Sequence, residues 1–196
     1  GSNQTAVGHG VLLANTTGYR NTAIGAAAMA ANTTGIYNTA IGFTALDANT
    51  TANSNTSMGY ASMTTNTTGG TNVAVGAYAL TANTTASNNT AVGYDSLKAN
   101  TTGGGNTAFG SAAGNSITTS VNNTCIGTNA DSNGTTGNGN ISVGNNAQKS
   151  TVTSAGQCTL GDSAITNLRC NDTSISSLSD SRDKTNIVDI PLGLAF

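Results

Sequence analysis

Asn21-Thr22-Ala23-Ile24-Gly25 returns one repeat later as Asn38-Thr39-Ala40-Ile41-Gly42, and again as Asn55-Thr56-Ser57-Met58-Gly59. Followed outward in both directions, the glycine that closes this pentapeptide recurs at Gly8, Gly25, Gly42, Gly59, Gly76, Gly93, Gly110, Gly127, Gly144 and Gly161. The interval never changes, with no insertion or deletion anywhere in the series. A fixed period of this length marks a solenoid, in which each repeat is one supersecondary unit stacked on the next.

The columns around the glycine are equally regular. An apolar residue precedes it (Val7, Ile24, Ile41, Met58, Val75, Val92, Phe109, Ile126, Val143, Leu160), and a small residue, mostly Ala, stands two before. Four before come Gln4, the asparagines from Asn21 to Asn140, and Gln157. The unit reads as a short strand ended by a glycine free to adopt φ > 0. Four residues after the glycine lies a second apolar column, Leu12, Met29, Leu46, Met63, Leu80 and Leu97. Asn-Thr-Thr follows it, beginning at Asn15, Asn32, Asn49, Asn66, Asn83 and Asn100. From Gly110 onward Gly114, Asp131 and Gln148 replace the Leu/Met, and the triplet disappears.

An isolated unit of this kind buries too little to offset its own ordering entropy, whereas stacked units share one ladder. Stacking at about 4.8 Å per rung gives ten rungs a length of roughly 48 Å. Thr, Asn and Gly are poor helix formers, and no 3.6-residue stripe appears. The predicted fold is therefore all-β, a parallel β-solenoid of ten 17-residue rungs. Identical residues fall above one another, so asparagine ladders and threonine columns are expected. Alternation along the strand puts Ile/Val and Thr on one face, Ala and Asn on the other. The expectation is that the Ile/Val and Leu/Met columns fill a thin core between two strands of each coil. The Ala column is then left for close approach of a neighbouring chain, and so thin a core predicts an oligomer.

Composition agrees with a ladder fold. Aromatic residues make up 4% and charged residues 7% of the 196, while 35 Thr, 27 Asn and 25 Gly supply close to half. The net charge of −2 argues against nucleic-acid binding, which needs a basic surface. No apolar run is long enough for a membrane-spanning helix, and the opening residues show no signal-peptide pattern. Cys125, Cys158 and Cys170 are too few and scattered for a disulfide framework, and read as small buried hydrophobes.

The repeated Asn-Thr-Ala-Val/Ile-Gly resembles the rungs of trimeric autotransporter adhesin heads of the YadA type, over residues 4 to 161. That resemblance implies a left-handed β-roll packed as a homotrimer. Near the C-terminus, Ser179-Asp180-Ser181-Arg182-Asp183-Lys184-Thr185-Asn186-Ile187 resembles the opening of the intramolecular chaperone domain of phage tail fibres and endosialidase-type tailspikes. Leu160 to Leu168 is similar to the last rung that precedes that domain. The resemblance implies autoprocessing before Ser179, with Ser179 as nucleophile and Lys184 as its base. The chain ends at Phe196, so the rest of such a domain is missing and no self-cleavage is expected of this segment. The resulting division is 1–105 for rungs one to six, 106–170 for rungs seven to ten, 171–178 as a linker strand, and 179–196 as the start of a chaperone domain.

Other candidate sites are sparse. His9 is the sole histidine. Asp47, Asp95, Asp131 and Asp162 stand on different rungs, which gives no glycosidase pair and no calcium-binding repeat, so neither metal nor cofactor is expected. Phe43, Tyr60, Tyr78 and Tyr94 follow the ladder glycine and read as an outward aromatic patch that meets sugars or pads a subunit interface. Asn15, Asn32, Asn49, Asn66, Asn83 and Asn100 open glycosylation sequons, but a ladder at a turn corner explains them without modification. The function expected is structural: an extracellular trimeric fibre of a phage or virus-like particle acting in host attachment. A bacterial adhesin head is the second reading and an ice-binding solenoid the third. The partners expected are two more copies of the chain and a host-surface glycan or protein.

Overall fold

A computed structural model of the chain describes residues 3–131 and 133–166. Ten three-residue strands succeed one another: β1 (Thr5–Val7), β2 (Thr22–Ile24), β3 (Thr39–Ile41), β4 (Thr56–Met58), β5 (Val73–Val75), β6 (Thr90–Val92), β7 (Thr107–Phe109), β8 (Thr124–Ile126), β9 (Ile141–Val143) and β10 (Cys158–Leu160). They form one parallel sheet in sequence order, each residue paired with its equivalent one rung on, as Ala23 is with Ala40. The chain is a parallel β-solenoid, and Gly1–Ile165 is one compact unit. The change of side chains after residue 105 is thus a change of filling within a continuous stack. The linker 171–178 and the segment 179–196 lie outside the described residues.

Each coil has a single strand, not the two expected. The rest is a run of turns held to the next rung by backbone hydrogen bonds, such as Leu12 N to Ala28 O (3.2 Å) and Ala14 N to Ala30 O (2.9 Å). The ladder glycines turn the chain out of the strand at φ of +123° to +143° from Gly8 to Gly144. A Cβ on Gly76 would lie 2.5 Å from the carbonyl oxygen of Gly93, so the next rung forbids one as firmly as φ does. Four residues on, Leu12, Met29, Leu46, Met63, Leu80 and Leu97 also sit in the left-handed region, at +47° to +54°. Each forgoes about 1 kcal/mol of backbone preference there, and burial of the side chain offsets it.

The Leu/Met column lies inside as expected, but the strand faces the opposite way, with Ala inward and Ile/Val outward. Ala23, Ala40, Ala74, Ala91 and Ala108 are fully buried, together with Met29, Leu46, Met63, Leu80 and Leu97, while Leu12 of the first rung is partly buried. They meet a third file that begins three residues after each glycine: Ala28, Ala45, Ser62, Ala79, Ser96, Ala113, Ala130 and Ala147. The Ile/Val column faces outward, with Val7 at 57% exposure, Phe109 at 58% and Leu160 at 52%. So short a coil, with only one strand, encloses a narrow space. Two alanine files and one Leu/Met file fill it, which leaves the bulkier strand residue outside.

Asparagines take the remaining inner positions, and their amide nitrogens donate to a backbone carbonyl or a neighbouring amide. In the column before the strand, Asn38 N donates to Asn21 Oδ1 (2.9 Å) while Asn21 Nδ2 donates to Gly35 O (2.8 Å); the bond from backbone N to the preceding Oδ1 recurs at every rung to Asn140. At the Asn-Thr-Thr corner, Asn49 Nδ2 donates to Asn32 Oδ1 (2.8 Å) and to Ala52 O (3.2 Å). The first Thr continues the ladder, Thr33 Oγ1 donating to Thr50 O at 2.9 Å. The second, Thr17, Thr34, Thr51, Thr68, Thr85 or Thr102, is exposed. The buried asparagine amides thus meet the rule that interior polar groups are paired, with Asn100 Oδ1 at the end of the corner ladder as the exception among the described residues.

Candidate interaction surface

Because the strand turns its Ala and Asn inward, its other two residues form the outer face of the sheet. One column there is Thr5, Thr22, Thr39, Thr56, Val73, Thr90, Thr107, Thr124, Ile141 and Cys158. Beside it runs the apolar column from Val7 to Leu160, in which Ile24, Met58, Ile126 and the three most exposed members all stand at least one-third open to solvent. The register never shifts along the face, so each column keeps its place from rung to rung. Contiguous exposed apolar surface of this length marks an interaction site.

Aromatic rings border this face on both sides. Past the glycine turn, Phe43 and Tyr60 stack with centroids 5.6 Å apart and planes 11° from parallel. Tyr60 meets Tyr78 edge to face at 5.2 Å, and Tyr78 meets Tyr94 at 6.1 Å. Phe43, Tyr60 and Tyr94 are exposed and Tyr78 is half-buried. Lys98 closes the file, its Nζ 5.4 Å from the Tyr78 ring and 2.9 Å from Asp95 Oδ2. That hydrogen bond, ahead of an opposing burial effect, holds the Lys98 ammonium above its usual pKa. On the entry side of the strand Tyr19 and Tyr37 pack edge to face at 5.9 Å, with the Arg20 guanidinium over both rings and bonded to the Tyr37 hydroxyl.

The other singled-out residues separate clearly. His9 is exposed beside the first turn. Cys125 is buried in the alanine column, whereas Cys158 is exposed on the outer face, contrary to the expectation of a buried hydrophobe. Cys170, Ser179 and Lys184 lie outside the described residues. Asn32, Asn49, Asn66, Asn83 and Asn100 are fully buried with their Nδ2 groups engaged, and Asn15 is half-buried at the first rung. The ladder thus accounts for these asparagines, and a glycan on the five buried ones would have to displace the next rung. Among the described residues no group of three metal-ligating side chains comes together, and no helix is long and apolar enough to cross a membrane.

Sequence reasoning missed two features. The alanine file three residues after the glycine is as regular as the others, but alanine carries no chemical signal. Asp131 and Lys149 meet inside the coil although they belong to different columns, the equivalent of Asp131 one rung on being Gln148.

The fold and surface define the class: a parallel β-solenoid repeat protein with one apolar, aromatic-bordered face. Comparisons with protein-family models, with curated proteins and with solved structures found no match.

Proposed function

We propose that this chain is a structural segment of an extracellular trimeric fibre, of the kind phage or virus-like particles use in host attachment. The observation that carries this reading is the outward apolar column, repeated on one side of all ten rungs. With its bordering columns the face measures roughly 48 Å by 15 Å, on the order of 700 Å² per chain, close to the ~800 Å² per partner of a standard stable interface. A face in unbroken register, with one column apolar throughout, suits a partner with the same 17-residue period, which another copy of the chain supplies. Rungs locked by ladders on every side give the stiffness a fibre needs. The tail-fibre likeness of residues 179–187 supports the phage or virus-like setting.

Mass measurement of the native particle, with and without heating in detergent, tests this reading. Three chains that survive mild heating are expected. Met58→Asp with Phe109→Asp, both on the outer column and outside the core, is expected to give a folded monomer. A wild-type monomer would remove the trimer and leave a single-chain solenoid.

The adhesin-head reading shares the same rungs and differs in its setting: a membrane barrel encoded downstream in the parent gene would favour it. Ice binding is the weaker third. The outer face alternates Thr with Ile/Val instead of Thr with Thr, and no thermal hysteresis is expected.

A further inference from the structure

Where the first six rungs place Leu or Met, the eighth places Asp131, and Lys149 of the ninth reaches into the same interior. Both side chains are fully buried, with Nζ 3.7 Å from Asp131 Oδ2. Lys149 Nζ also donates to Thr136 O at 3.0 Å, which fixes the amine beside the carboxyl. Among the described residues Asp131 Oδ1 has no hydrogen-bond partner. Gly134 makes the room: a Cβ there would lie 2.5 Å from both Lys149 Nζ and Asp131 Oδ1. Cys125 Sγ completes the surroundings, 4.0 Å from Asp131 Oδ2.

As an ion pair this arrangement is poor. Two charges give up their hydration, the contact is longer than a good charge-assisted hydrogen bond, and one carboxyl oxygen is left orphaned. As a pair of reactants it is well made. The amine and the carboxyl are held side by side in the buried interior of the coil, which replaces a bimolecular encounter by an intramolecular one.

We propose that Lys149 and Asp131 are joined by an amide bond that forms once the rungs have stacked. Proton transfer from the ammonium to the carboxylate gives the neutral amine and the neutral acid. Nζ then attacks Asp131 Cγ; the N–C bond forms, the C–OH bond breaks, and the hydroxyl leaves as water with one amine proton. The two side chains balance the step with no co-reactant. Burial, the largest influence on Asp131, holds its carboxyl above the ordinary pKa despite the opposing Lys149, which favours the acid form that the reaction consumes. Burial, the largest influence on it, pushes the Cys125 thiol up to about 12, so it stays neutral and does not compete as nucleophile. The product staples the eighth rung to the ninth in the block that has lost the Asn-Thr-Thr ladder.

Mass spectrometry of the denatured full chain decides the matter. The expected mass is about 18 Da below that of the sequence, the loss of one water. Trypsin, which cuts at Lys98 and Arg169, is expected to leave Lys149 uncut and release 99–169 as one internally linked fragment. Asp131→Ala and Lys149→Met are each expected to restore the full mass for their sequence, whether or not they fold as firmly. A wild-type chain of full mass overturns the proposal. So does a lower mass with Lys149 still cut by trypsin, since that places the dehydration elsewhere.

Discussion

The first six rungs and the last four trace the same backbone with different interiors. In the first block each coil holds one Leu or Met and one corner Asn, buried from the second rung on, and the corner amides run from Asn15 to Asn100 without a break. In the seventh rung Gly114 stands in the Leu column and Ile117 in the Asn column. A Cβ on Gly114 would lie 3.0 Å from Leu97 Cδ2 and 3.2 Å from Ile117 Cδ1, so the isoleucine has moved into the space the leucine gave up. The eighth and ninth rungs fill the same volume with Cys125, Asp131 and Lys149. Backbone spacing is therefore set by what all ten rungs share, the glycine turn and the amide side chain before the strand. The corner and the large inner residue are interchangeable provided their combined volume is kept.

Substitution in the shared elements is expected to break both blocks alike. Gly76→Ala and Gly127→Ala each place a Cβ against the next rung's carbonyl oxygen, at 2.5 Å in both cases, with φ above +120°. A loss of 3 kcal/mol or more, roughly, is expected at either site, or failure to fold, read by urea denaturation. Equal sensitivity would confirm that the turn is common machinery. A tolerant Gly127 would show that the second block is held differently.

The asparagine columns give the next largest effect and the sharper contrast. Asn72→Ala removes the acceptor of Asn89 N and the donor to Ala86 O, and Asn123→Ala removes the acceptor of Asn140 N. Both are expected to cost about 2–3 kcal/mol in the same assay. Asn66→Ala, in the corner column that only the first block possesses, breaks its bonds to Gly69 O and Asn49 Oδ1 and strands Asn83 Nδ2 on one side. About 2 kcal/mol is expected there, and Ile117, its counterpart position in the seventh rung, has no amide to lose.

The smallest effect should have the opposite sign. Asn100 ends the corner ladder with a buried Oδ1 that has no partner among the described residues, because the next rung offers Ile117. Gly114→Leu combined with Ile117→Asn rebuilds the first-block pattern and supplies the missing donor. A gain of about 1 kcal/mol, seen as a higher unfolding midpoint, is expected. Ile117→Asn alone should lose stability, because it empties the space that Gly114 does not fill.

The period, the strand, the glycine turn and both asparagine columns were legible in the sequence because each repeats one residue type whose chemistry has a single structural use. The orientation of the strand was not. Alternation divides Thr and Ile from Ala and Asn but leaves open which pair faces inward. The large apolar residue was the natural choice for the core. The perimeter of a one-strand coil decides otherwise, since Ala23 fits beside Met29 where Ile24 would not. The left-handed Leu and Met residues were equally hidden, because only Gly114 in that column advertises its φ. Asp131 and Lys149 looked like isolated charges, and only the path of the coil brings them together.

The unbroken 17-residue register has a last consequence for how the chain orders itself. Every rung-to-rung contact joins residues at nearly the same sequence separation, so the stack grows as a one-dimensional crystal does, each ordered layer templating the next. The step from Asn100 to Ile117 is a grain boundary in that crystal: the lattice is continuous across it, but the amide thread is cut. Growth from the first block reaches that plane with an unfilled acceptor, and melting from the second should halt there for the same reason.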